Sequence, residues 1–353
     1  MSKFSWMSMS GLLLLSASAV GADSPGSAAR HYSVTVLPTL GGTFVQAFGL
    51  NNRGQVTGTS AISGDVANHP FLYTDGKMQD LGTPDGTSGS GFAVNGRGQV
   101  TGSFKAGHDS RQHAFIFSGG VMNDLGMQSE VSVGRSINAA GQVAGLSGTL
   151  GGTAPHLHAV VFSEGAIQDL GTLGADAGEA LDVNEAQGIN DRGQVTGFAI
   201  GGSNQQVHAF LYTNGSMMDL GTLGGTSSGG SAVNNRGQVV GTSALMGNMT
   251  DHAFLYHNGF MEDLGTLGGS SSTGLAVNSH GVVTGGASTA SDIEHAFVGS
   301  SGKMRDLNDE IGSAASLYTL VEGEAINDKG QIVVNGIINQ TSTQAAFLLT
   351  PVP

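Results

Sequence analysis

The segment Asn-x-x-Gly-(Gln/Val)-(Val/Ile) begins at Asn51, Asn95, Asn138, Asn190, Asn234, Asn278 and Asn327, in steps of 44, 43, 52, 44, 44 and 49 residues. Near-equal copies of that length exclude a conventional layered domain, because one unit cannot bury an apolar face alone and must stack on its neighbours. Two further markers keep step with the first. His followed by Ala or Pro and then Phe or Val starts at His69, His113, His158, His208, His252 and His295. Asp-Leu-(Gly/Asn) starts at Asp80, Asp124, Asp169, Asp219, Asp263 and Asp306, eleven residues after each His. In the seventh copy Ala345 takes the place of His.

Each copy reads as four short extended pieces. The third and fourth are clearest in His208 to Tyr212 and Met217 to Leu220, with Asn214-Gly215 between them. A Gly stands seven residues after every marker His, at Gly76, Gly120, Gly165, Gly215, Gly259 and Gly302, where a tight hairpin needs positive φ. The first and second pieces flank the Asn-x-x-Gly turn. Four strands in about 44 residues is the size of one propeller blade. The last copy stops after its third piece, at Phe347 and Leu348. Its missing strand lies at the other end: Val36-Leu37-Pro38-Thr39-Leu40-Gly41-Gly42 aligns with Asp219-Leu220-Gly221-Thr222-Leu223-Gly224-Gly225, and both segments begin 15 residues before their Asn marker. The sequence therefore predicts an all-β, seven-bladed β-propeller whose N-terminal strand completes the C-terminal blade, a closure that removes open sheet edges. A parallel β-helix or a kelch-like variant is the alternative architecture. The β-helix leaves the complementary ends unexplained.

Residues 1–22 carry Lys3, an apolar run from Leu12 to Leu15, and Val20-Gly21-Ala22, the pattern of a secretory signal cleaved after Ala22. Residues 23–30 read as a linker, 31–350 as a single propeller and 351–353 as a tail. The expected product is secreted, extracellular or periplasmic, and monomeric. No later stretch is long and apolar enough to insert in a bilayer. The absence of cysteine excludes disulfides and thiolate chemistry. With 13 Lys+Arg against 27 Asp+Glu, the net charge of −14 repels phosphate backbones and anionic lipid, which makes nucleic acid and membrane surfaces poor expected partners.

The segments His208-Ala209-Phe210-Leu211-Tyr212 and Asp219-Leu220-Gly221-Thr222-Leu223-Gly224-Gly225 resemble the HAF family of extracellular repeat proteins, and the resemblance spans almost the whole mature chain. It implies a secreted bacterial repeat protein and no particular activity. The copies at His69-Pro70-Phe71 and His158-Ala159-Val160 depart from the family motif.

The repeated His and Asp read as structural. With Asp75-Gly76 as a two-residue loop, Phe71 falls opposite Asp80, so His69 and Asp80 become diagonal neighbours within hydrogen-bond reach. One bonded pair per blade satisfies polar groups between sheets. A catalytic group is needed once, and metal ligands must converge rather than spread around a ring. Gly225-Thr226-Ser227-Ser228-Gly229 matches a nucleophile-elbow pattern without its strand-to-helix context. Asn190-Asp191-Arg192-Gly193 and Asn327-Asp328-Lys329-Gly330 lack the alternating acids of calcium loops and read as turns.

Function is therefore expected where the repeat breaks. The interval from the Asp marker to the next Asn is 14 or 15 residues in most copies but 21 from Asp169 to Asn190 and from Asp306 to Asn327. These insertions supply Asp176, Glu179, Asp182 and Glu185, then Asp309, Glu310, Glu322 and Glu324. Two residues before each Asn marker the chain is always small, from Gly49 to Ala325, as crowding near an axis requires. One residue earlier stand Phe48, Phe92, Arg135, Gln187, Ser231, Leu275 and Glu324, of which Arg135 and Glu324 are the most suggestive. The favoured reading is a binding module, with no required cofactor, that holds a protein or cell-surface component at its longer-looped rim. The alternative is an extracellular hydrolase, lactonase-like or otherwise cation-assisted, with its site at the same rim near His108, Asp109 and His156, where oxygen donors would hold Ca²⁺ or another divalent cation. No residue pattern fixes a nucleophile or base.

Overall fold

The computed structural model describes residues 31–352 except 85, 108–110, 128, 150–155, 175–181, 202–205 and 301. The signal and linker segments, and with them Asp176, Glu179, His108 and Asp109, lie outside the described residues. The chain forms seven separate sheets, each of four antiparallel strands in sequential order, and one of them gains the two-residue strand Asp182–Val183. The fifth blade is representative, with strands Gly224–Val233, Val239–Leu245, Asp251–His257 and Phe260–Asp263. The first strands touch one another in a closed circle and line the axis.

The turns follow from local chemistry. Asp75 and Gly76, and likewise Asn214 and Gly215, occupy positive φ at 48°, 83°, 53° and 81°, the two-residue hairpin whose twist suits its flanking strands. Phe71 pairs with Asp80, as the hairpin register predicts. At the ring seam Tyr32–Val36 pairs antiparallel with Thr343–Pro351 and completes the seventh blade. Val36 faces Phe347 there, as Asp219 faces Phe210 in the fourth blade. Pro351 is still paired, to Tyr32, so the final strand reaches one residue into the expected tail.

Six of the seven blades bury one large ring at the same place: Phe71, Phe115, Phe210, Phe254, Phe297 and Phe347 are fully buried. Val160 takes that position in the third blade and is also buried. Aliphatic side chains from adjacent blades close around these positions, so the core is a set of inter-blade layers. Alternating strand direction places the first-to-second and third-to-fourth turns on one face, tied by Gln55 Nε2 donating to Thr74 Oγ1 at 3.0 Å. All longer connections emerge on the opposite rim.

Candidate functional site

The six His–Asp pairs form in every blade that carries them, with His Nδ1 between 2.5 and 2.9 Å from the carboxylate. The second carboxylate duty is local. Asp80, Asp124, Asp169, Asp219 and Asp263 accept from the backbone N–H two residues on, and Asp306 does the same for Asn308. Each Asp thus fixes both the ring of its His and the exit of the fourth strand. The bond to Asp306 raises the pKa of His295 against the opposing effect of burial. These pairs stand one in each of six blades around the circumference, each bonded within its own blade, and Nε2 of His69 and of His208 is buried without a hydrogen-bond partner.

The Asn marker does more than turn the chain. Asn51 is buried; its Oδ1 accepts from Arg53 and Gln55 N–H, while its Nδ2 donates to Gln55 Oε1 and to the carbonyl of Asn95 in the next blade. The same inter-blade bond runs from Asn95 to Asn138, Asn190, Asn234, Asn278 and Asn327, and back to Asn51 at 3.0 Å. A closed circle of seven asparagines therefore belts the tight-turn face. Asp191 and Asp328 bind neighbouring blades through Asn235 and Asn52, which is the turn role expected of them.

Beside this belt every first strand has a β-bulge, and the bulged residue is the variable one: Phe48, Phe92, Arg135, Gln187, Ser231, Leu275 or Glu324. The bulge breaks the free edge that faces the axis. The preceding crowding is real, since a Cβ on Gly49 would lie 2.9 Å from the backbone of Ala93. The bulged residues sort by chemistry around the channel. Phe48 and Phe92 meet at 5.7 Å between centroids, and the Arg135 guanidinium lies 5.0 Å from the Phe92 centroid. Arg135 Nε also donates to Glu185 Oε1 at 2.5 Å, which joins two of the predicted residues across adjacent blades. On the far side Glu324 accepts from Asn335 Nδ2 at 2.8 Å. Burial, then the charge of Glu322, push its carboxyl up to about 8; burial and Glu294 push Glu322 up to about 7. Arg135 and Glu324 thus sit three residues from the Asn belt, toward the tight-turn end of the channel and away from the longer-looped rim.

The second insertion is largely scaffold. Two short 3₁₀ turns, Leu307–Glu310 and Gly312–Ser316, drive Leu307 and Ile311 into the core. Glu310 is buried and accepts from Arg305 Nη1 at 2.7 Å, whereas Asp309 is exposed. A cleft of about 490 Å³ opens beside them, lined by Thr266, Met304, Arg305, Asp306, Asp309 and Glu310. Asp182 pairs through its backbone with His156 at the rim. Among the described residues no group of three or more His, Asp or Glu side chains is placed to hold a metal ion.

Sequence reasoning passed over the apolar side chains of the longer-looped rim. Val66, Met249 and Ile293 occupy the same place in three second-to-third loops and are 79%, 88% and 56% exposed. Met246 and Leu317 stand exposed on the same rim, whereas Met127 faces the groove between the second and third blades beside Ala166 and Ile167. Their signal was present as an apolar residue after a positive-φ Asp or Asn, at Asp65, Asn248 and Asp292.

No family model and no curated protein matches the chain. Among solved structures it is similar to the β-propeller domain of the Trilobed protease from Pyrococcus furiosus, at 9% identity and TM-score 0.51, covering 75% of this chain and 83% of that one. The chain is a seven-bladed β-propeller. Weaker likenesses reach a gluconolactonase from Xanthomonas campestris, at 11% identity and TM-score 0.43 over 92% of both chains, and TolB from Acinetobacter baumannii, at 11% and 0.43 over 80% of this chain and 76% of that one.

Proposed function

We propose that this propeller is an exported binding module that holds a protein partner on its longer-looped rim. One observation carries the reading: five of the eleven exposed large apolar side chains among the described residues, Val66, Met246, Met249, Ile293 and Leu317, stand on that rim. Exposed apolar groups set among acidic and polar neighbours mark protein contact surfaces, and flexible Met side chains adapt to a partner. The repeated Asn, Asp and His side chains are engaged in holding the blades together, which leaves the symmetry-breaking loops of this rim to recognise a partner.

The cysteine-free chain permits a clean test. A single cysteine placed at Met249 carries a photo-crosslinker, with Phe260 on the opposite face as control. The expected result is a discrete adduct from exported proteins of the producing cell at position 249 alone, competed by unlabelled protein and not by a Met246→Ser/Met249→Ser/Ile293→Ser variant. Equal labelling from both positions, or none, contradicts the reading.

A further inference from the structure

We infer that the tight-turn face docks on an anionic lipid surface. Two residues after each Asn of the belt stand Arg53, Arg97, Ala140, Arg192, Arg236, His280 and Lys329, all exposed. The five permanent cations among them form no ion pair among the described residues. The same turn of successive blades supplies them, and the asparagine circle ties those turns together, so the cations lie at one height around the channel mouth.

These turns carry five cations against Asp191 and Asp328, a net of +3 in a chain whose total is −14. Both carboxylates are already engaged: Asp191 accepts from Ala139 N–H and Asn235 Nδ2, and Asp328 from Ser279 N–H and Asn52 Nδ2. The outer hairpins of the same face add Lys77 and Lys303 against Asp75 and Glu164. They also present Phe260, 63% exposed, and Val121, 57% exposed, each directly after its turn.

A planar array of cations with apolar side chains at its outer edge matches a flat layer of anionic headgroups over an apolar interior. A nucleic-acid duplex is a cylinder and meets only part of the circle, and a soluble polyanion makes no use of Phe260. The acid-rich body does not prevent contact. A seven-residue strand such as Val56–Ile62 spans roughly 23 Å, more than twice the Debye length of about 8 to 10 Å at physiological salt. The opposite rim is therefore screened from the surface, and the total charge misstates what this face presents.

The test is co-sedimentation of the purified protein with vesicles of phosphatidylcholine alone or mixed with phosphatidylglycerol. Binding is expected only to the mixed vesicles, and added salt should release it. Each cation removed lowers partitioning roughly fivefold, so Arg53→Gln/Arg97→Gln/Arg192→Gln/Arg236→Gln/Lys329→Gln should lose about three thousandfold. Phe260→Ser should lose severalfold, and Lys105→Gln, exposed near the other rim, should lose nothing. All these side chains are exposed, and a thermal melt confirms that each variant is folded. Absence of binding to the mixed vesicles, an unchanged quintuple variant, or capture of soluble polyphosphate without capture of vesicles each overturns the assignment.

Discussion

A buried asparagine with every hydrogen-bonding atom engaged is the residue on which this ring depends. Replacing Asn234 with Ala leaves the carbonyl of Asn278 and the N–H groups of Arg236 and Gln238 without their partner. The expected loss is about 3 kcal/mol in urea unfolding, since each unmet buried group costs about 1 to 3 kcal/mol. Asp219→Ala should cost less, about 1 to 2 kcal/mol, because its carboxylate is 47% exposed. Equal losses would contradict this ranking. The channel acids make a separate pH prediction. A carboxyl whose pKa is raised on folding binds more protons in the native state than in the unfolded chain, so stability falls as pH rises between the two values. For Glu322 and Glu324, raised by burial from 4.5 to about 7 and about 8, stability should decline from about pH 5 to pH 8. Glu322→Gln/Glu324→Gln should flatten that slope; an unchanged slope assigns it elsewhere. The His–Asp bonds were legible in the sequence because hairpin register fixes both partners within eleven residues. The Asn belt was not, because its acceptor lies some 44 residues away and exists only once the ring has closed.

Strand count and closure were equally legible, since a repeat that ends one strand short and begins one strand early admits few arrangements. Residue-level agreement at the seam, Val36 opposite Phe347, shows how far that logic carries. Removing residues 31–36 should leave the edge of Thr343–Pro351 unpaired, take Tyr32 out of the core and expose Leu37. The truncated chain is expected to melt at lower temperature and to self-associate on gel filtration, as open edges do. A monomer with the parent melting temperature would show that the seam contributes nothing. The insertions were harder to read. Spacing marked the longer connection after Asp306 but could not tell a recognition loop from a plug, and Leu307 and Ile311 make it chiefly a plug. The bulges were likewise hidden: sequence marked Phe48, Phe92 and Arg135 as variable, and only pairing shows that each is the unpaired residue of its strand.

At the scale of the whole molecule the fold sorts side chains that composition averages together. The net charge of −14 conceals a face with five cations that form no ion pair among the described residues, and Val66, Met246, Met249, Ile293 and Leu317 stand exposed on the rim opposite to it. The buried repeated residues build the ring, and the exposed residues of its two faces recognise what the ring meets. The most direct measurement sets the two kinds side by side. Asn234→Ala and Met246→Ser/Met249→Ser/Ile293→Ser are each melted, and each, unlabelled and below its melting temperature, is used to compete with the protein labelled at position 249 for the crosslinked adduct. The Asn variant is expected to melt early and still compete, while the rim variant melts as the parent does and fails to compete. An Asn variant that is stable, or a rim variant that competes fully, would contradict it.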